Sequence, residues 1–334
     1  MSFNKLALTG LTAVVCLGMA SQAMADGRNA GSLLLYPEFD NRMGTVTVVT
    51  VTNTDAAGSA VDVEFVYIGR YANCGGGPGS NQSGHCDVDC EEFNRTETLT
   101  ANDTLTLITN YHNPQHEQGY LYVFARDGVN SPITHNYLIG NVMTVQGLES
   151  FEYSVNSVAY EGIAPEVDNN GVRRLDGSQY EQSAGEILVP RFLGQGGQFH
   201  SDLILIGLTG GAAFDTTVDF LIYNDNEEVF SAEHTFYCWD RVPLLEISGI
   251  FHNDFLADFT NNDSGELLGA NNIETGWFRM TGAQASSSNT TLADPAVYGV
   301  LVEKIANKGA ADLPFEAGQN GSGALLARSL DGTF

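Results

Sequence analysis

From Lys5 onward the chain opens with an apolar run, Leu6 to Met19, and then changes character. The rest is built of short apolar or alternating runs rich in β-branched and aromatic residues, broken by Gly, Asn, Asp and Pro roughly every ten residues, a spacing that predicts strands. Gly44 to Asn53 shows the pattern: Val46, Val48 and, after the pair Val48-Val49, Val51 alternate with threonines that would face a partner sheet or water. The same reading predicts strands at Val61–Ile68, Thr104–Thr109, Tyr120–Ala125, Ile133–Ile139, Asp202–Leu208, Val218–Tyr223, Gly276–Met280 and Ala296–Val302. No long amphipathic helix is predicted. The expected fold class is all-β: two tandem antiparallel β-sandwich domains, Ig-like or jelly-roll in style.

The tandem arrangement follows from landmarks that recur in one order. Leu33-Leu34-Leu35-Tyr36-Pro37-Glu38-Phe39 answers to Ile187-Leu188-Val189-Pro190-Arg191-Phe192, and Val63-Glu64-Phe65-Val66-Tyr67 to Val218-Asp219-Phe220-Leu221-Ile222. Cys90 answers to Cys238, His112-Asn113 to His252-Asn253, and Gly119-Tyr120 to Gly276-Trp277. Pro132 with Leu138-Ile139 answers to Pro295 with Leu301-Val302. Internal duplication is expected, with domain 1 over residues 26–165 and domain 2 over 183–334. The polar segment Glu166 to Gln182 is the expected linker, and a short strand or tail is expected at Ala324–Leu330.

The first 25 residues have the three parts of a secretory signal: Lys5, the apolar run, and Ala23-Met24-Ala25 before a cleavage point at Asp26. The run is shorter than the roughly 20 residues a membrane-spanning helix needs, and Thr9, Gly10 and Thr12 weaken it further. A lipoprotein cysteine at Cys16 is disfavoured because Val14 and Val15 precede it. An outer-membrane barrel ending on Phe334 is disfavoured because Gly332, Leu330 and Arg328 do not alternate apolar. The expected address is therefore outside the cytoplasm: periplasm, cell surface or extracellular space, with no membrane insertion.

Export changes how the composition reads. With 41 acidic against 14 basic residues and a net charge of −27, the chain repels nucleic acid and anionic surfaces. Four cysteines follow the signal, Cys74, Cys86, Cys90 and Cys238, and an oxidising compartment makes them candidate disulfides. The pairing reading is Cys74–Cys86 around a glycine-rich loop, with Cys90–Cys238 joining the halves. A zinc site at Cys86-x3-Cys90 fits less well, because the spacing is unusual.

Calcium is the cofactor to consider first, because hard oxygen ligands abound. Glu166-x-Asp168-x-Asn170-Gly171 has the 1-3-5 spacing of a calcium loop, although Gly177 stands where the bidentate Glu belongs. Asp87-x-Asp89-x-Glu91-Glu92 is a second candidate. Asn224 to Glu228 and Asn261 to Glu266 are similar clusters, and in a chain this acidic they also read as solvated turns. His112-x3-His116 has metal-ligand spacing, but Pro114 between the two makes the segment a loop. No Gly-x-Ser-x-Gly elbow or phosphate-cradling motif is present. Tyr36, Tyr111, Tyr120, Trp239 and Trp277 are candidates for a sugar-stacking platform, and equally for core.

The leading expectation is an exported, non-catalytic structural or adhesive protein, such as a filament or layer subunit that self-assembles through the strand Gly31 to Phe39. The alternatives are calcium-assisted binding of a glycan or polymer, and a polysaccharide hydrolase using dispersed carboxylates.

Overall fold

The computed structural model describes residues 29–58, 60–71, 90–128, 131–148, 150–165, 171–209, 214–258 and 273–326. The proposed signal peptide and the last eight residues lie outside them.

The chain is nearly all β. Among the described residues nine strands precede residue 165: β1 Leu33–Asp40, β2 Thr45–Asn53, β3 Val61–Tyr71, β4 Glu91–Leu99, β5 Thr104–Ile108, β6 His116–Arg126, β7 Leu138–Gln146, β8 Phe151–Asn156 and β9 Val158–Tyr160. They form two antiparallel sheets, β4-β3-β6-β1-β9 and β5-β2-β7-β8. After β10, Val172–Leu175, come β11 Glu186–Leu193, β12 Asp202–Gly207, β13 Asp215–Asn224, β14 Val229–Tyr237, β15 Trp239–Pro243 and β16 Thr275–Ser286. The series ends with β17 Thr291–Ala293, β18 Val297–Ile305, β19 Lys308–Ala311, β20 Phe315–Ala317 and β21 Gly323–Leu326. Their sheets are β14-β13-β16-β11-β20 and β15-β12-β18-β19, with β17 added to β16. With β17 set aside and strands counted from the first of each half, the two orders are the same. In both, the first strand pairs with the sixth and not with the second, as it would in an immunoglobulin sheet.

The shared order extends to detail. β1 pairs Tyr36 with Leu121 and then Phe39 with Gly119, while β11 pairs Val189 with Phe278 and then Phe192 with Gly276. Each strand thus skips register at the same place, and Pro37 and Pro190 sit in the two bulges, where a residue without an N–H disturbs the ladder least. Gly140 opposite Val51 and Gly299 opposite Leu205 are likewise matched. This register sets Leu138-Ile139 against Val297-Tyr298, four residues from the expected Leu301-Val302. Cys90 and Cys238 are not counterparts either: the first stands before β4, the second between β14 and β15. They are partners in a disulfide, with Cα atoms 6.3 Å apart across 148 residues of sequence.

Burial separates two kinds of sheet. β2 alternates, with Thr47, Val49, Val51 and Asn53 inside and the residues between them facing out, and β13 alternates in the same way. In β1 every residue is buried, as are Tyr120–Ala125 of β6 and Leu203–Ile206 of β12. A continuous apolar run marks a sheet covered on both faces, and alternation marks one that meets water. β1 and β6 from one half and β12 and β15 from the other meet at the junction, where the Trp239 indole Nε1 donates to the Pro37 carbonyl at 2.8 Å. β10, inside the expected linker, pairs with β21, and the Arg173 guanidinium lies 4.6 Å above the Phe124 ring. One continuous hydrophobic core runs through both halves.

Candidate functional site

Sheet packing places a charged cluster at the junction. Glu38 lies in the Pro37 bulge, fully buried, and the Arg241 guanidinium donates to both its carboxylate oxygens at 2.8 and 2.7 Å. Arg241 Nε donates to Asp202 at 3.0 Å, and Lys304 Nζ lies 2.9 Å from the same carboxylate. The Tyr153 hydroxyl donates to Glu38. Arg241 and Lys304 also lie over the rings of Tyr153 and Phe151, at 5.7 and 5.0 Å. Burial alone would lower the Arg241 pKa, but the Glu38 and Asp202 carboxylates reverse that and hold it above its ordinary value. Burial, with Glu38 beside it, pushes the Tyr153 phenol well above its ordinary range. Two acids face two bases, so the cluster is arranged as a clamp between halves and not as an acid/base pair.

Beside the clamp a cleft of about 630 Å³ opens between the halves. β7 and β8 supply Asn141, Ser154 and Asn156, and the other half supplies Arg191, Glu303 and Phe315. Ser154 Oγ donates to Asn141 Oδ1 at 3.0 Å, and Asn141 Nδ2 donates to Asn156 Oδ1 at 3.2 Å. Arg191 Nε donates to Glu303 at 3.2 Å, with a second guanidinium bond to the other oxygen. Phe315 is 55% exposed. The cleft thus offers neutral hydrogen-bonding groups on one wall and an ion pair with an aromatic edge on the other. This combination suits a neutral polyhydroxylated ligand.

Of the candidate calcium residues, Glu166, Asp168, Asn170, Asp87 and Asp89 lie outside the described residues. Glu91 begins β4, exposed and opposite Gly69. Among the described residues no three His, Cys, Asp or Glu side chains are grouped to hold a metal ion. The Asn224–Glu228 cluster is a hairpin turn in which Asn224 Oδ1 accepts from the amides of Asn226 and Glu228, at 3.1 and 2.9 Å. Cys74 and Cys86 also lie outside the described residues.

His112 sits in a helical turn, Thr109–His112, its Nδ1 2.8 Å from the Tyr67 hydroxyl, and burial lowers its pKa. His116 begins β6, and burial lowers it to about 4. Of the aromatic candidates, Tyr36, Tyr120 and Trp239 are buried, whereas Tyr111 is 83% and Trp277 37% exposed. Trp277 stacks on Tyr223 at 4.3 Å, on the open face of β13 and β16. Sequence reasoning missed the clamp. Its one visible signal is a charge inside an apolar strand, Glu38 between Pro37 and Phe39 and Arg241 beside Val242.

No family model matches the chain, and no curated protein matches it significantly.

Proposed function

We propose that this chain is an exported, non-catalytic structural or adhesive protein of the cell surface, periplasm or extracellular matrix, built of two tandem β-sandwiches that arose by duplication. The observation that carries this reading is the common strand order, with its matched Pro37 and Pro190 bulges, in two halves joined by a disulfide and a buried charge clamp. Duplicated sheets fixed into one body suit a role in holding or transmitting position. β1 is already paired on both sides, with β6 and β9, so self-assembly through Gly31 to Phe39 takes the form of strand exchange between copies.

The test is to fractionate cells that make the protein and take its intact mass. Recovery from an exported fraction, beginning at Asp26, supports the reading; recovery of the full chain from the cytoplasm defeats it.

The second reading, glycan binding with or without calcium, is favoured by the Asn141, Ser154, Asn156 and Phe315 walls of the cleft. A glycan array with the wild type and Asn156→Ala, run with and without chelator, tests it. Unchanged signals, or none, discard the cleft as a sugar site.

A further inference from the structure

Three neighbouring strands of this acidic protein carry no charged residue on either face. They are β2, β5 and β7, which lie side by side in one sheet. On the face of that sheet turned away from the core, cross-strand neighbours form rows. Thr52 pairs with Thr104 and Thr50 with Thr106, their hydroxyls 2.9 and 3.3 Å apart, and Thr50 lies opposite Asn141. The next row is apolar, Ile108, Val48 and Met143, followed by Val46 opposite Val145. Val46 is 42% exposed and Met143 39%, and Leu148, in the turn after β7, is 82% exposed. A cluster of this kind on a chain of net charge −27 requires a partner or a reason to be tolerated in water.

The matching sheet of the other half shows what such a face does in this molecule. By register, Ile204, Tyr298 and Arg241 occupy the positions that Thr50, Ile139 and Thr106 occupy in the first half, and that sheet is covered by β1 and β6. Among the described residues no such cover lies over β2, β5 and β7 of the first-half face, where Val46, Ile139 and Met143 are each about two-fifths exposed.

We propose that it docks against the same face of a second copy of this chain, in a two-fold pair. Charge selects this occupant. The open face of β13, β14 and β16 in a second copy presents Asp219, Glu233 and Arg279, whereas the uncharged strands β2, β5 and β7 of two copies meet without bringing carboxylates together, with Glu152 of β8 left at the rim. The three strands, about 4.8 Å apart and about 24 Å long, give a face on the order of 350 Å² in projection, so the pair buries roughly 700 Å² in all, the size of a weak, transient contact. The remaining surfaces repel, so the dimer strengthens as salt screens them. The inference stands on this face alone and does not depend on the export reading.

Sedimentation velocity of the purified chain, from about 1 to about 200 µM at low and high salt, tests it. The wild type is expected to shift from monomer to dimer within that range, at lower concentration in high salt. Met143→Glu is expected to remain monomeric with an unchanged melting temperature. Val229→Glu, on the other half at a 54% exposed position, is expected to dimerise as the wild type does. If Met143→Glu lowers the melting temperature, Thr50→Lys on the same face supplies the reading. A wild type that stays monomeric throughout, or a dimer lost with Val229→Glu and kept with the face variants, overturns the proposal.

Discussion

Replacing Arg241 by Met tests the junction clamp. Arg241 makes three charge-assisted hydrogen bonds, two to Glu38 and one to Asp202. Lys304 remains beside Asp202 in the variant, so the damage falls on Glu38, which is fully buried. Breaking one side of a buried pair costs about 3–5 kcal/mol, because the surviving charge has lost its compensation. Removing both charges leaves only the lost bonds and a Tyr153 hydroxyl that a glutamine can still accept. The double variant Arg241→Met/Glu38→Gln is therefore expected to cost about 1–2 kcal/mol. Urea unfolding of the three proteins with the disulfide intact measures both numbers and the coupling between sites. A single-variant cost under about 1 kcal/mol, or a double variant as damaged as the single, refutes the clamp.

Replacing Cys238 by Ser opens a 148-residue link between halves and is expected to cost about 2–5 kcal/mol, read as a shift in the denaturation midpoint. A Cβ on Gly140 would stand 2.0 Å from the buried Tyr36 hydroxyl, and one on Gly299 would stand 2.2 Å from the mobile end of Met280. Gly140→Ala is thus expected to cost about 1–3 kcal/mol and Gly299→Ala less; the reverse order of melting temperatures would contradict the matched packing. His116 is held neutral by burial, with its pKa lowered to about 4. The unfolded chain takes up the proton near its ordinary value of about 6.5, so His116 contributes stability above that pH which is lost as pH falls toward 4. The slope from this one group reaches at most about 1.4 kcal/mol per pH unit. His116→Gln should flatten the stability curve over that window, and an unchanged curve would remove His116 as the cause.

Strand positions were legible in the sequence because alternation and β-branched content mark strands, but the faces were not always so: in Val46 to Val51 the strand is where it was expected, yet Thr47 is buried with Val49 and Val51 while Val46 and Val48 face out. The continuous runs Leu33–Tyr36 and Leu203–Ile206 carried more than was read from them: they mark the strands buried on both faces, and so the junction between halves. The landmarks Pro37/Pro190 and Gly119/Gly276 were found because bulges and close strand approaches tolerate few residue types. Cys90 and Cys238 misled as landmarks, since two cysteines that bond to each other recur in the sequence just as repeats do. The clamp and the cleft were not legible, because Glu38, Arg241, Asp202 and Lys304 come from four strands whose proximity is a property of how the sheets stack.

Differential scanning calorimetry of the oxidised chain tests most directly the claim that both halves form one body. One transition is predicted, with calorimetric and van't Hoff enthalpies equal, because a shared core and clamp leave neither half a native state of its own. Two separate transitions, each with about half the heat, would contradict it.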